Sequence, residues 1–248
     1  MDLPFDVSNR QFRPPGRDGI WGMPPMSRQF ISKPFRWRKA HLARRLGFAR
    51  VRETMAKFSI VTFGCQMNEH DSSRMAEILI SAGHQETAAV DTAQIVVLNT
   101  CSVREKAAQK LRSEVGRLAA RKQEQRDLVI VVAGCLGQQE GARLLKSAPE
   151  IDLVIGPDNL AELPGLLVDL DMGGPRRSVA EFDLDAPRFL AADPTQRRIP
   201  PATYVTVMKG CDERCTFCIV PYTRGSERYR ASGEIVDEIR RLVAAGVR

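Results

Sequence analysis

Apolar and polar residues change their spacing repeatedly from Lys57 onward, and this alternation predicts a protein built from strands and helices in turn. Lys57 to Phe63 is a β-rich run, and Ile95 to Leu98 is a second apolar run of strand length. Leu128 to Ala133 is apolar on both faces, which is typical of a central strand in a parallel sheet. Asp152 to Ile155 is the fourth predicted strand.

Helical patterns lie between these strands. Asp71 is a candidate cap for a first helix, and Ser102 and Glu105, three residues apart, form a candidate capping box for a long second helix. Their apolar faces are Met75, Ile78, Leu79 and Ala82, and then Val103, Ala107, Leu111, Val115 and Leu118. Further helices are predicted from about Gln138 to Lys146 and from Asp158. Strand-helix units of about 30 residues predict a doubly wound parallel α/β domain.

The pattern weakens after this domain and then resumes. Met172 to Ala202 reads as a linker or sheet edge, with Gly173-Gly174-Pro175 and little periodicity. A new strand is predicted from Thr203, followed by a cysteine-rich loop and a helix from about Gly233. We therefore expect an α/β domain over 55–172, a linker over 173–202 and the start of a second domain over 203–248.

Composition and charge narrow the class of protein. The chain has 248 residues, 43% hydrophobic and 27% charged, which is typical of a globular protein and excludes collagen-like or wholly disordered chains. No uncharged apolar run approaches the ~18 residues of a membrane span, so we expect no membrane. Residues 1–54 hold 12 basic and 4 acidic side chains, a net charge of +8, whereas the rest of the chain is −1, so this segment holds all of the excess in the chain's net charge of +7. The summed charge is therefore weak support for nucleic-acid binding.

Residues 1–54 form a basic extension rich in Pro, Arg and aromatic side chains. Three interpretations stay open: a disordered basic tail, an upstream extension from a misassigned start with Met55 as the true first residue, or an organellar transit peptide. Asp2, Asp6 and Asp18 count against the last, because transit peptides are poor in acidic residues.

Three of the six cysteines form one cluster, Cys211-x3-Cys215-x2-Cys218, directly after a predicted strand. A tight group of thiolates on one loop indicates a metal site. Zinc is one alternative, but a structural zinc site needs four ligands and this loop has no fourth Cys or His. Three thiolates on a four-iron cluster would leave one iron open to a small molecule.

Cys65, Cys101 and Cys135 are spaced 36 and 34 residues apart. Each alone would be interpreted as a buried core cysteine. Each, however, falls just past the carboxyl end of a predicted strand and before a helix, and in a parallel sheet those ends share the edge where ligands bind. A helix N-terminus also stabilises thiolates. Together they predict a second three-thiolate site, where Gly64 and Gly134 allow close approach of the backbone.

These motifs resemble a known family. Cys211-x3-Cys215-x2-Cys218 resembles the signature of radical S-adenosylmethionine enzymes, and the run from Cys215 to Gly225 resembles their methylthiotransferase branch. The motifs around Cys65, Cys101 and Cys135 resemble the tRNA 2-methylthio-N(6)-dimethylallyladenosine synthases, the MiaB family. The resemblance covers about Ala56 to Arg248.

The resemblance implies two 4Fe-4S clusters and S-adenosyl-L-methionine as cofactors. The cluster on Cys211, Cys215 and Cys218 would cleave S-adenosylmethionine to a radical that takes hydrogen from carbon 2 of an isopentenylated adenine beside the tRNA anticodon. The cluster on Cys65, Cys101 and Cys135 would supply the methylated sulfur. Phe217 matches the position near the adenine of S-adenosylmethionine; its alternative is an ordinary packed Phe. The implied partners are tRNA, a flavodoxin or ferredoxin as electron donor, and a sulfur donor, in the cytoplasm.

Other residues and functions stay open at this stage. Gln66, Asn68, Arg104 and Arg224 are weaker candidates for contact with a cluster or substrate, since each is equally typical of a helix end or surface. Only 46 residues follow Ala202, enough for one unit of the partial (β/α) barrel that the resemblance implies, so we expect a fragment that is inactive alone.

The alternatives are a methylthiotransferase for threonylcarbamoyladenosine in tRNA or for a ribosomal protein, and a non-catalytic iron-sulfur or zinc module. Ser102-Val103-Arg104-Glu105 favours the isopentenyl-adenosine branch.

Overall fold

The computed structural model describes residues 55–182, 184, 187–193 and 201–248, and these contain a six-stranded parallel sheet. The strands are β1 (Lys57–Phe63), β2 (Gln85–Glu86), β3 (Ile95–Thr100), β4 (Val129–Ala133), β5 (Leu153–Ile155) and β6 (Arg177–Val179). Their order is β2-β1-β3-β4-β5-β6, and every neighbouring pair is parallel. The predicted α/β doubly wound sheet is confirmed. The predictions for residues 1–54 lie outside the described residues.

Helices connect the strands on both faces of the sheet. They are α1 (Gln66–Ser81), α2 (Glu105–Glu124), α3 (Cys135–Glu140), α4 (Ala142–Ser147) and α5 (Leu163–Asp171). Side chains of alternate residues in the central strands pack into two separate hydrophobic cores, one on each face of the sheet. Val97 and Val131 pack with α1 and α5 on one face, whereas Val96 and Val132 pack with α2 on the other. The sheet is therefore covered on both sides.

The predicted helix starts were wrong in two places. Asp71 does not cap α1, which begins earlier at Gln66, because the extended backbone of Cys65 caps it and the Cys65 N–H donates to Asn68 Oδ1. Ser102 does not cap α2, because the cap is Arg104. The predicted helix from Gln138 to Lys146 is two short helices, since Gly141 adopts a φ of +48° between them.

Residues after α5 hold less regular structure. β6 lies within the segment predicted as linker or edge, and it forms one edge of the sheet. The strand predicted from Thr203 is limited to β7 (Met208–Lys209), because its antiparallel partner β8 (Arg228–Tyr229) has two residues. Between them lies α6 (Val220–Arg224), and α7 (Ser232–Ala244) follows. The barrel unit and the domain limits stay predictions.

A search of the described helices finds none with the length and apolar character needed to cross a membrane.

Candidate functional site

Three cysteines follow the carboxyl ends of neighbouring strands. Cys65 follows β1, Cys101 follows β3 and Cys135 is the first residue after Gly134 at the end of β4. The Cys101 N–H donates to the Phe63 carbonyl at 2.9 Å, which holds the first two chain segments together. The order β2-β1-β3 reverses the direction in which the chain crosses the sheet, and ligands bind at such a switch point in open α/β sheets. Cys65 and Cys101 flank it.

A buried pair of amide side chains lies beneath these cysteines. Asn68 Nδ2 donates to Asn99 Oδ1 at 2.9 Å, and Asn99 Nδ2 donates to the Asn68 carbonyl at 2.8 Å and to Ser72 Oγ at 2.9 Å. Asn68 Oδ1 accepts from the backbone N–H of Cys65 at 3.3 Å and from its thiol at 3.4 Å. Because the pair joins the start of α1 to the end of β3, it fixes the Cys65 backbone relative to that of Cys101.

Gly134 packs directly against the same pair. Its φ is +91°, and a Cβ there would lie 2.3 Å from Asn99 Oδ1 and 2.9 Å from Asn68 Nδ2. A Cβ at Gly64 would lie 2.3 Å from Asn68 Oδ1. The predicted need for glycine at both positions therefore has a specific cause: the backbone approaches the two amides more closely than any side chain allows.

Cys101 lies in a setting that suits a sulfur ligand. It is 4% exposed, and its Sγ accepts a hydrogen bond from the Val103 N–H at 3.4 Å. The hydroxyl oxygens of Thr100 and Ser102, on either side, are buried and have no hydrogen-bond partner among the described residues. A buried hydroxyl without a partner costs about 1–3 kcal/mol, so a bound group with acceptor atoms would relieve this cost. The sulfides of an iron-sulfur cluster are such acceptors.

Cys135 is 8% exposed and lies beside Arg224. Burial raises the pKa of its thiol, and the charge and hydrogen bond of the Arg224 guanidinium act in the opposite direction. Arg224 also pairs with Asp71, with Nη2 2.7 Å from Oδ2. Burial alone would raise the pKa of Asp71, but Arg224 and the hydrogen bond from His70 together hold it below its ordinary value. From the sequence, Arg224 was only a weak candidate for contact with a cluster or substrate.

The other three cysteines line one cavity. Cys211, Cys215 and Cys218 border a space of about 440 Å³ together with Tyr222 and other residues of the same loop. The Cys211 N–H donates to the Gly225 carbonyl at 3.1 Å, and the Cys218 N–H donates to the Cys215 carbonyl at 3.0 Å. Cys215 is exposed and the other two are partly buried. The donor set and the shared cavity fit a cluster held by three thiolates.

Phe217 lies between the second and third of these cysteines and is 91% exposed. The alternative interpretation, a Phe packed in a core, therefore does not describe it. Its role beside S-adenosylmethionine stays a prediction.

Within the described residues, no three His, Cys, Asp or Glu side chains are grouped closely enough to hold a single metal ion. The ligands of a four-iron cluster lie further apart than those of one ion, because the cube of iron and sulfide separates them. The observation therefore concerns sites for a single metal ion and not sites for a four-iron cluster. The assignment of the six cysteines to two clusters stays a prediction, and the thiols, the orphaned hydroxyls and the cavity fit it.

The remaining candidates fall in different places. Arg104 Nη1 donates to the Gly64 carbonyl at 3.0 Å, and Arg104 lines a second cavity of about 570 Å³ with Cys65 and Gln66. Asn68 is buried under the cysteines, as described above. Asn99 and Asp71 were missed as site residues, because their partners lie 31 and 153 residues away along the chain.

Comparison with known proteins agrees with the sequence motifs. A family model described as "Uncharacterized protein family UPF0004" matches residues 57–156. A protein of Sorangium cellulosum (strain So ce56) is 62% identical over 200 residues, which cover 78% of this chain and 40% of the relative. Proteins of Roseobacter denitrificans and Novosphingobium aromaticivorans are 45% and 43% identical, each over 77% of this chain and over 43% and 42% of their own lengths.

All three relatives are named tRNA-2-methylthio-N(6)-dimethylallyladenosine synthase. The chain spans about two fifths of the length of each. The resemblance seen in the motifs is thus confirmed. The chain carries a UPF0004 domain and is similar to these three synthases over about two fifths of their lengths.

Proposed function

We propose that this chain is the cysteine-bearing part of a tRNA methylthiotransferase that acts at carbon 2 of N(6)-isopentenyladenosine next to the anticodon. The observation that carries the proposal is the placement of all six cysteines. Three lie at the ends of adjacent strands beside the switch point of the sheet, and three line one cavity in a loop. The names of the three relatives support this substrate over threonylcarbamoyladenosine or a ribosomal protein.

Each cysteine group would hold one 4Fe-4S cluster. When bound, the two clusters supply the reductive cleavage of S-adenosylmethionine and the sulfur for insertion, with electrons and sulfur delivered by separate donors. The chain's own residues prepare the sites. Arg224 places a positive charge beside Cys135, which opposes the rise in the pKa of that thiol caused by burial, and the Val103 N–H donates a hydrogen bond to Cys101 Sγ. Phe217 would contact the adenine of S-adenosylmethionine.

The experiment is a metal and sulfide count on the purified chain after anaerobic reconstitution. We expect about eight irons and about eight sulfides per chain, and about four of each when either cysteine trio is changed to alanine. Zinc alone, or iron that survives loss of both trios, would contradict the proposal. A count of four in the unchanged chain would reduce it to one cluster.

The non-catalytic alternative is separated by a second measurement. Reconstituted protein is mixed with dithionite and S-adenosylmethionine, and 5′-deoxyadenosine is measured. The matched control replaces Cys211, Cys215 and Cys218 with alanine and leaves the strand-end group intact. Product that depends on the loop trio supports an enzyme and would show that the fragment, expected to be inactive in full turnover, still cleaves S-adenosylmethionine. Clusters that give no product and whose electron paramagnetic resonance spectrum is unchanged by S-adenosylmethionine support a binding module.

A further inference from the structure

Arg224 lies between the two cysteine groups. It is the last residue of α6, which follows Cys218 in the loop group, yet its side chain contacts the strand-end group. The guanidinium pairs with Asp71 Oδ2 at 2.7 Å and lies beside the Cys135 thiol, whose charge and hydrogen bonding act on the pKa of both groups. The side chain is 11% exposed. One residue of the loop segment therefore lies against the strand-end group.

The next residue contacts the loop group. The carbonyl of Gly225 accepts the hydrogen bond from the Cys211 N–H at 3.1 Å. Gly225 has a φ of +75°, and a Cβ there would lie 3.2 Å from Arg228 Nη2 and 3.2 Å from the Phe182 ring. The direction of this carbonyl is thus set by a backbone turn that favours glycine. Two consecutive residues therefore lie beside one cysteine of each group.

Buried partners hold this dipeptide in place. Arg228 donates to the Arg224 carbonyl and pairs with the buried carboxylate of Asp158. Asp71 accepts a second interaction from His70 Nδ1 at 3.3 Å, and His70 Nε2 lies 3.0 Å from Thr206 Oγ1. A buried charge is tolerated when it is paired and hydrogen-bonded, and loss of one partner destabilises the folded protein. The position of Arg224 is therefore specified from both its side chain and its backbone.

We propose that Arg224 is a positioning residue that links the two cysteine sites: its guanidinium, paired with Asp71, orders the surroundings of Cys135, and its backbone, through Gly225, holds Cys211. The proposal rests on the proposed function, in which both groups hold clusters. A guanidinium suits this place, because its planar fork can pair with a carboxylate on one side and face a thiol on the other, whereas an ammonium is a single point charge. A change at one site would then be felt at the other.

The link is tested first on cluster-free protein by hydrogen exchange. The variants are Arg224→Gln, Arg224→Lys and a matched control, Arg230→Gln. Arg230 is also buried, 3% exposed, and pairs with Glu238 of α7, but its partners include no cysteine. We expect Arg224→Gln to speed exchange about tenfold or more at the Cys211 amide and in the first turn of α3, and Arg230→Gln to change neither.

Arg224→Lys separates positioning from stability. It keeps a positive charge beside Asp71, so we expect its melting temperature to stay close to that of the unchanged protein. We expect the faster exchange at both segments to persist, because the lysine cannot make both contacts. A response at one segment only, or full rescue of both by lysine, would overturn the proposed link.

Cluster loading gives the second readout. In a background where Cys211, Cys215 and Cys218 are alanine, we expect Arg224→Gln to bind less than half the iron bound without it, with an altered electron paramagnetic resonance spectrum. Arg230→Gln should bind the full amount. If Arg224→Gln matches Arg230→Gln in loading and exchange, the link is wrong. If the unchanged chain binds no iron, the proposed function fails, and the exchange results alone decide the link.

Discussion

The two cysteine groups are organised over different distances along the chain. Cys65, Cys101 and Cys135 are spaced 36 and 34 residues apart and come to one edge because three parallel strands end there. Cys211, Cys215 and Cys218 lie within eight consecutive residues and share a cavity in one loop. The first arrangement requires a correctly paired sheet, whereas the second requires little more than a local turn.

The two cysteine groups also differ in how deeply their side chains are buried. Cys101 and Cys135 are buried, Cys65 contacts the buried amide of Asn68, and Cys135 lies beside Arg224, whereas Cys215 is exposed. A site built into the core shares its residues with the interactions that stabilise the fold. We therefore expect substitutions around the strand-end group to lower stability, and equivalent substitutions around the loop group to leave it nearly unchanged.

The largest effect is expected from Gly134→Ala. The residue has a φ of +91°, and its Cβ would overlap Asn99 Oδ1, so the free energy of unfolding should fall by about 2–4 kcal/mol. Denaturant unfolding of the purified protein measures it. The control is Gly233→Ala near the start of α7, where a Cβ meets no atom within 4 Å, and which should be neutral or stabilising by up to about 1 kcal/mol. A similar fall in the free energy of unfolding for both variants would contradict the expected difference between the two regions.

Asn99→Ala should come next. It removes three hydrogen bonds and leaves the buried amide of Asn68 without its partner, at a cost of about 1–3 kcal/mol. Asn159→Ala is the control, because Asn159 is also buried but makes its side-chain bond to Glu162, away from the cysteines. In cluster-free protein, Asn99→Ala should also speed alkylation of Cys65, measured by mass spectrometry. Unchanged alkylation would mean that the amide pair does not order this site.

The cysteines themselves give a matched pair. Cys101→Ser buries a hydroxyl in place of a thiol and should cost about 1–2 kcal/mol in cluster-free protein. Cys215→Ser changes an exposed side chain and should stay within about 0.5 kcal/mol of the unchanged protein. Thermal unfolding of both variants checks the difference. Equal effects would show that the two groups are similarly exposed in solution.

The smallest effect is expected from acid. The pKa of Asp71 in the folded protein lies below its ordinary value of 3.8, since Arg224 and His70 outweigh the effect of burial. The unfolded chain therefore binds the proton more readily, so this stabilisation is present above about pH 4 and is lost as the pH falls through the folded pKa. Asp71→Asn should flatten the acid limb of a plot of stability against pH. An equally steep limb in the variant would contradict the assignment.

The fold was predictable from sequence where burial alone decides it. Central strand β4 is apolar throughout and β3 is apolar over Ile95 to Leu98, so their positions were found to within about two residues. The starts of α1 and α2 were not found, because their caps are Cys65 and Arg104, residue types that rarely serve as caps. Strand β6 was missed as a strand, because its three residues, Arg177 to Val179, carry no periodicity of their own.

The positions of the candidate site's cysteines could be predicted from the sequence, but the residues that order them could not. The position of each cysteine after a strand follows from the local pattern, and so does the triad in the loop. The residues that order these cysteines do not. The Asn68–Asn99 and Asp71–Arg224 contacts join positions 31 and 153 residues apart, and nothing near Asn99 or Asp71 in the sequence indicates its partner. Tertiary contacts of polar side chains require the structure.

Strand β6 determines where the chain can be truncated without exposing an edge of the sheet. β6 follows α5 along the chain and pairs with β5, with Leu153 opposite Arg177 and Ile155 opposite Val179. This pairing covers the edge of β5, an apolar strand. The family match ends at residue 156, before both elements. A chain cut near residue 172 would leave the edge of β5 bare, and a bare apolar edge is a template for pairing with another copy. The short strand β6 therefore closes an edge of the sheet that would otherwise be open to pairing with another copy.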